Sequence, residues 1–198
     1  MPPHEIKRAV RIWPVLRVYA VASARHPWIL TSTILGVVGI QAAGIVTPLY
    51  LRQFINTLST AQPSSMVVHS LLIILAAFAA VAAVGWLAQR IQAVSAMRIE
   101  AEVMADLEHE AFSSLMRQDY DLFISSFVGT LTRRVTRYSR AYEQVFDSLV
   151  QNFLPTLLFA IGSITILYLR NHWLGLGLLV WIIIFVIVQI ILTRWRHP

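Results

Sequence analysis

Residues 28–51 read WILTSTILGVVGIQAAGIVTPLYL, a run from Trp28 to Leu51 without a charged side chain. About 20 mostly apolar helical residues are enough to cross a hydrocarbon core of roughly 30 Å, so this stretch predicts a membrane span. It is longer than the roughly 7–15 residues of a cleavable signal core and reads as retained. Three further mostly apolar runs follow at residues 66–88, 146–169 and 173–193, the first of them alanine-rich from Ala76 to Ala83 and the second carrying Asp147 at its start. Composition agrees with this reading: 57% of the chain is apolar and 13% is charged, with a mean hydropathy of +0.66. A soluble domain carries about 25% charged residues, so the solvent here is at least partly lipid. A net charge of +6 could suit a soluble helical nucleic-acid binder, but that reading would require all four runs to share one buried core. The absence of cysteine excludes a disulfide framework, a thiolate metal site and a cysteine nucleophile.

Between the spans the sequence predicts helix rather than strand. Residues 5–25 alternate basic and apolar side chains, as an interfacial helix does, with Pro14 expected to start a turn or a kink. After Arg52, the polar residues Asn56, Ser59, Thr60, Gln62, Pro63, Ser64 and Ser65 read as a tight connection. Neither glycine nor proline occurs between Gly85 and Gly129, and Met97, Ala101, Met104, Ala111 and Leu115 recur at the spacing of one helical stripe. Residues 66 to about 117 therefore predict one helix, roughly 75 Å long at 1.5 Å per residue. A turn or short crossing helix is expected over Asp119 to Ser126, and a second helix returns from Gly129, with Pro155 and Gly162 as expected kink points. Arg170, Asn171 and His172 make the last, very short connection. The predicted fold is an all-α membrane protein in two parts: residues 1–26 with an interfacial elbow, and residues 27–198 holding four spans and a hairpin over about 89–145.

Orientation follows from the basic residues. Lys7, Arg8, Arg11, Arg17 and Arg25 precede the first span, seven arginines occupy the middle loop, and Arg194 and Arg196 close the chain. Only Arg52 and Arg170 fall on the other side, so both termini and the hairpin are expected to be cytoplasmic, in a multi-pass protein of the cell (inner) membrane.

No motif for phosphate chemistry is present: there is no GxxxxGK[ST] and no GxGxxG, so the chain itself holds no ATP site and no catalytic group. Glu102, Asp106, His109 and Glu110 share a helical face that could hold a divalent cation, but the simpler reading is a solvated face. His26, His69 and His172 stand near predicted membrane boundaries, where interfacial side chains are common. Gly36, Gly39 and Gly44 suit close helix packing. Gln41, Gln89, Asn152 and Gln189 are candidates for lining a pathway, or for hydrogen-bonding between helices.

The sequence resembles the membrane domain of type I exporters of the ATP-binding cassette class. Pro48 lies in the first span, followed by Ile55 and Asn56, with Asn where that family usually has Asp. In the hairpin, Phe112, Leu115, Arg117, Phe123, Gly129, Leu131 and Arg134 stand in the family's order and spacing. Tyr138 occupies a position where an acid is frequent. The resemblance implies that Asp119, Tyr120, Asp121, Leu122, Phe123 and Ile124 belong to a coupling helix that docks on a nucleotide-binding domain, in cis or in trans. It also implies a second transporter half, an exported substrate, a lipid bilayer as surroundings, no nucleic acid, and ATP with Mg2+ bound elsewhere in the full transporter. By the same resemblance the chain is expected to be a fragment, or the product of a truncated reading frame, that lacks spans five and six. A different functional class is also open: a self-contained four-helix membrane scaffold whose hairpin recruits a partner. A downstream reading frame with two more spans and a phosphate loop would exclude it.

Overall fold

The computed structural model describes residues 12–60, 62, 64–116 and 128–196. Its elements are α1 (Ile12–Ala24), α2 (Pro27–Thr60), α3 (Ser65–Met116), α4 (Val128–Phe146), a π-helical segment (Asp147–Phe153), α5 (Leu154–Arg170) and α6 (His172–Arg196). Among the described residues there is no strand. Four helical segments, Pro27–Thr60, Ser65–Ser114, Arg133–Arg170 and His172–Trp195, are long and apolar enough to cross a membrane.

Local chemistry sets the helix ends. Pro14 lies in the first turn of α1, where an absent N–H costs no hydrogen bond, so it neither ends nor breaks the helix. The α1–α2 junction is only Arg25 and His26. Their amides donate to Ala22 and Ser23 carbonyls, while the His26 carbonyl accepts from Leu30 and starts α2 behind Pro27. Ser64 caps α3, its hydroxyl accepting from the Val67 amide at 3.3 Å. Asn171 is extended and caps α6: its Oδ1 accepts from Trp173 at 3.0 Å, and its carbonyl accepts from Leu174 and Gly175.

Three sequence expectations change. The polar stretch beginning at Asn56 is not a loop, because α2 continues to Thr60 and the connection shrinks to residues 61–64. Pro48 sits within α2. Around it and beyond, Thr47, Thr57 and Thr60 turn their hydroxyls onto carbonyls four residues back, so the polar groups are answered within the helix. Near Pro155 the chain does not simply kink: the seven residues before α5 adopt π-helical register. A proline ring clashes with the carbonyl four residues earlier, here Gln151, and a wider turn relieves that clash. Gly162 lies inside an uninterrupted α5.

The described chain divides into two compact units, residues 1–35 with 90–149 and residues 36–89 with 150–198. The first has a packed core of Tyr19, Ala22, Ala96, Ile99, Val103, Leu107, Tyr142 and Phe146, with Ser23, Thr33, Ser95 and Ser139 buried among them. This corrects the stripe read from sequence. The buried face of α3 is Ala96, Ile99, Val103 and Leu107, whereas Met97 is 71% exposed. Both sets obey helical spacing, and spacing alone does not say which of two neighbouring stripes meets a partner.

In the second unit, no more than 17% of any span's most apolar window is buried, so the large side chains face outward. What holds its helices is small residues. A Cβ on Gly39 would come 2.9 Å from the Cβ of Ala88, and one on Gly85 would come 2.8 Å from that of Ala43. Gly39 and Ala43 are one turn apart on α2, as Gly85 and Ala88 are on α3, so the two contacts form a reciprocal Gly–Ala seam. Gly162 admits Ile45 in the same way, and a Cβ on Gly175 would lie 2.6 Å from the Tyr168 backbone. Such close backbone approach is the route to helix association when lipid supplies no hydrophobic drive.

Candidate functional site

The chemistry-bearing side chains concentrate in the first unit, where α1 and its junction with α2 are tied to α3 and α4. Tyr19 lies on the buried face of α1, and its hydroxyl donates to the Tyr138 carbonyl at 3.0 Å. Its ring meets those of Tyr138 and Tyr142 at 5.4 and 5.5 Å between centroids. One turn on, the Ser23 hydroxyl donates to the Tyr19 carbonyl and shares a 2.9 Å hydrogen bond with the Tyr142 hydroxyl. Tyr142 in turn packs on Phe146. Burial raises the Tyr19 phenol above its ordinary value near 10, and Tyr138 adds to the shift, so the hydroxyl stays a neutral donor. Where the sequence resemblance leads one to expect an acid, Tyr138 makes an aromatic contact.

Polar side chains tie the junction to α3. His26 places Nδ1 at 3.2 Å from Glu102 and Nε2 at 3.0 Å from Asp106, so one imidazole faces two carboxylates a helical turn apart. A ring bearing a single proton can donate to only one of them. Arg25 pairs with Glu110, whose hydrogen bond and charge hold the guanidinium more firmly protonated than usual. The Ser139 hydroxyl donates to Glu108 at 2.7 Å, and Ser32 donates to Ser95 at 2.8 Å. The acidic face of α3 is therefore not merely solvated: Glu102 and Asp106 meet His26, and Glu110 meets Arg25, while His109 is exposed. Among the described residues no group of three or more acidic, His or Cys side chains is arranged to hold a metal.

These pairings were missed in the sequence because they join residues 31 to 119 positions apart. The only local signal was the four-residue spacing of Glu102, Asp106 and Glu110 and of Tyr19 and Ser23.

The motif positions are distributed as follows. Arg117 and the coupling segment Asp119, Tyr120, Asp121, Leu122, Phe123 and Ile124 lie outside the described residues. Phe112 is 54% exposed on α3. Leu115 is in the last turns of α3, Gly129 and Leu131 are in the first turn of α4, and Arg134 is exposed on α4. Pro48 and Asn56 are exposed on α2, with the Asn56 carbonyl accepting from Ser59 and Thr60. Of the candidate lining residues, Gln41 is half-buried, and Gln89, Asn152 and Gln189 are exposed. The second unit also has an apolar groove of about 330 Å³ along the seam, between Gly39, Ala43, Ala80 and Val84. With no polar group on its walls, it offers nothing to orient a ligand.

A family model described as the ABC transporter transmembrane region matches residues 29–198. No curated protein matches the chain.

Proposed function

The chain belongs to the ABC transporter transmembrane region family, and from that membership we propose that it forms part of the substrate pathway of an ATP-driven exporter and relays motion from a nucleotide-binding domain. The chain is the membrane part of an ABC transporter, with four helical segments long and apolar enough to span a bilayer among its described residues. The family match over residues 29–198 carries the proposal. Support comes from α3, which runs 52 residues without a break and carries an apolar stretch and then a polar one. A stiff helix of that kind converts displacement at one end into tilt at the other.

In this reading Asp119, Tyr120, Asp121, Leu122, Phe123 and Ile124 dock on the nucleotide-binding domain, whether fused or separate, which supplies the ATP and Mg2+ chemistry. A second transporter half completes the pathway, and Gln41, Gln89, Asn152 and Gln189 contribute to its lining. Both termini face the cytoplasm across the inner membrane. Phe123 is the side chain on which coupling depends most, as a buried aromatic anchor often contributes about 2 kcal/mol or more to an interface. Phe123→Asp in the complete transporter is expected to leave ATP hydrolysis in place while transport collapses. Transport and hydrolysis that remain coupled in this variant would remove the assignment.

A further inference from the structure

One contact at the α1–α2 junction depends on a count of protons. The His26 side chain is only 21% exposed and stands between two carboxylates of α3. Its Nε2 lies 3.0 Å from Asp106 Oδ2 and its Nδ1 lies 3.2 Å from Glu102 Oε2. Each ring nitrogen therefore faces a carboxylate oxygen, which when ionised accepts hydrogen bonds and donates none. An imidazolium, with a proton on both nitrogens, answers the two acids together. A neutral ring answers one and turns a lone pair toward the other, so one carboxylate has to withdraw. Glu102 is the freer of the two, at 52% exposed against 40% for Asp106.

We propose that His26 is a proton-operated latch between the α1–α2 junction and α3, which clasps Glu102 and Asp106 when both ring nitrogens are protonated and loosens when one proton leaves. The sign follows from linkage: the clasped form holds the extra proton, so acid favours clasping and the tie is lost as pH rises. The other groups around the ring respond differently. Arg25, beside it, is paired with Glu110, and its charge also acts on Asp106. On α3, Arg98 precedes Glu102 by one turn, Glu108 accepts from Ser139, and His109 is exposed. From α4, the phenols of Tyr138 and Tyr142 join the same packed cluster, and such groups ordinarily ionise only near about pH 10. Imidazole is the side chain that ordinarily changes charge between about pH 5 and 8, and of the two imidazoles here His26 is the one set between the junction and α3. Farther back, α1 is anchored by Tyr19 and Ser23, so loosening is confined to the corner from Ala22 to Leu30, where the Arg25 and His26 backbones make the turn into α2. The latch thus sets how firmly the start of α2 follows α3. It does not depend on ATP coupling, and its test involves none.

The sequence has no cysteine, so a single introduced thiol reports alone. In the full chain, held in uncharged detergent micelles, Ala22→Cys puts a thiol one turn before His26, where the native side chain is 3% exposed, and Ala20→Cys on the exposed face of α1 serves as its reference. The ratio of the two labelling rates cancels the pH dependence of the thiol itself. With His26 intact, that ratio is expected to rise about fivefold from about pH 5.5 to about pH 8, the size of one ion pair near a surface. His26→Gln should keep the ratio high at both ends, and His26→Lys, whose ammonium stays charged throughout, should keep it low. His109→Gln should leave the rise unchanged. A ratio that stays level with His26 intact would overturn the proposal, as would the same rise in His26→Gln, loss of the rise in His109→Gln, or a His26→Lys ratio as high as that of His26→Gln. Should Ala22→Cys disturb the packing, the nitrogen-15 spectrum of the native chain decides. The His26 ring is expected to lose its second proton over the same pH interval in which the Arg25 and His26 amide signals move; a ring that changes its proton count while those amides stay still would overturn the latch.

Discussion

The unit formed by residues 1–35 and 90–149 gathers a continuous core, whereas the unit formed by residues 36–89 and 150–198 buries few of its large side chains. Tyr142, Ile99, Val103 and Leu107 are almost fully covered, while Trp181 is 65% exposed, and Phe185 and Ile191 are 60% exposed. The polar chemistry differs in the same way. In the first unit hydroxyls and charges reach across tens of residues, as from Tyr19 to Tyr138 and from His26 to Asp106. In the second they fold back onto their own helix, as Thr47, Thr165 and Thr193 do onto carbonyls four residues earlier. Water rewards burying apolar surface, so a unit in water can spend it on a core and use polar pairs to choose one arrangement. Hydrocarbon gives no such reward and demands that each polar group be answered locally, leaving fit between small residues as the cement.

If that contrast is right, Tyr142→Ala has the largest effect. It opens a cavity in the first core and removes one of the two hydrogen bonds of the Ser23 hydroxyl, with an expected loss of about 3–5 kcal/mol. Hydrogen exchange should show faster exchange in α1 and α4 and unchanged protection in α5 and α6; equal loosening of both units would erase the distinction. Gly85→Leu attacks the other unit, where the added side chain meets Ala43 and costs about 1–3 kcal/mol. Here the loss should appear as protease sensitivity between α2 and α3, and a bulky residue tolerated without it would show that the seam is not what joins them.

A smaller, reversible change is expected from alkali. The folded pKa of Tyr19 is raised, so its contribution is complete below the usual phenol value near 10 and disappears as pH climbs through the folded value. Release of α1 that coincides with one component of the tyrosinate absorbance titration, that component being lost in Tyr19→Phe, would bear this out; release at unchanged pH in Tyr19→Phe would assign it to another group. Smallest of all should be Ile183→Val, on an exposed face of α6, at less than about 0.5 kcal/mol. A large penalty there would mean that protein, not lipid, covers that face.

The spans were legible because membrane crossing needs only length and apolarity, which a single sequence displays at 28–51 or 173–193. The unbroken α3 was legible for a similar reason, as it holds no proline and a single glycine, Gly85. Phase was harder. Met97 and Ala101 were as regular as Ile99 and Val103, and only a partner makes one stripe the inner one. The π-helical turn was half visible: Pro155 announced a disturbance, but its form depends on how the backbone before it relaxes. His26 could not be read at all, because its meaning lies in two acids some eighty residues away.

Asn171 is the sole residue between the ends of α5 and α6, and Gly175 is pressed on the Tyr168 backbone beside it. A joint of one residue has no slack. The two helices can neither slide past each other nor splay without breaking the Asn171 cap, so mechanically they form a single lever arm, and an inserted residue at that corner would be expected to disable both at once.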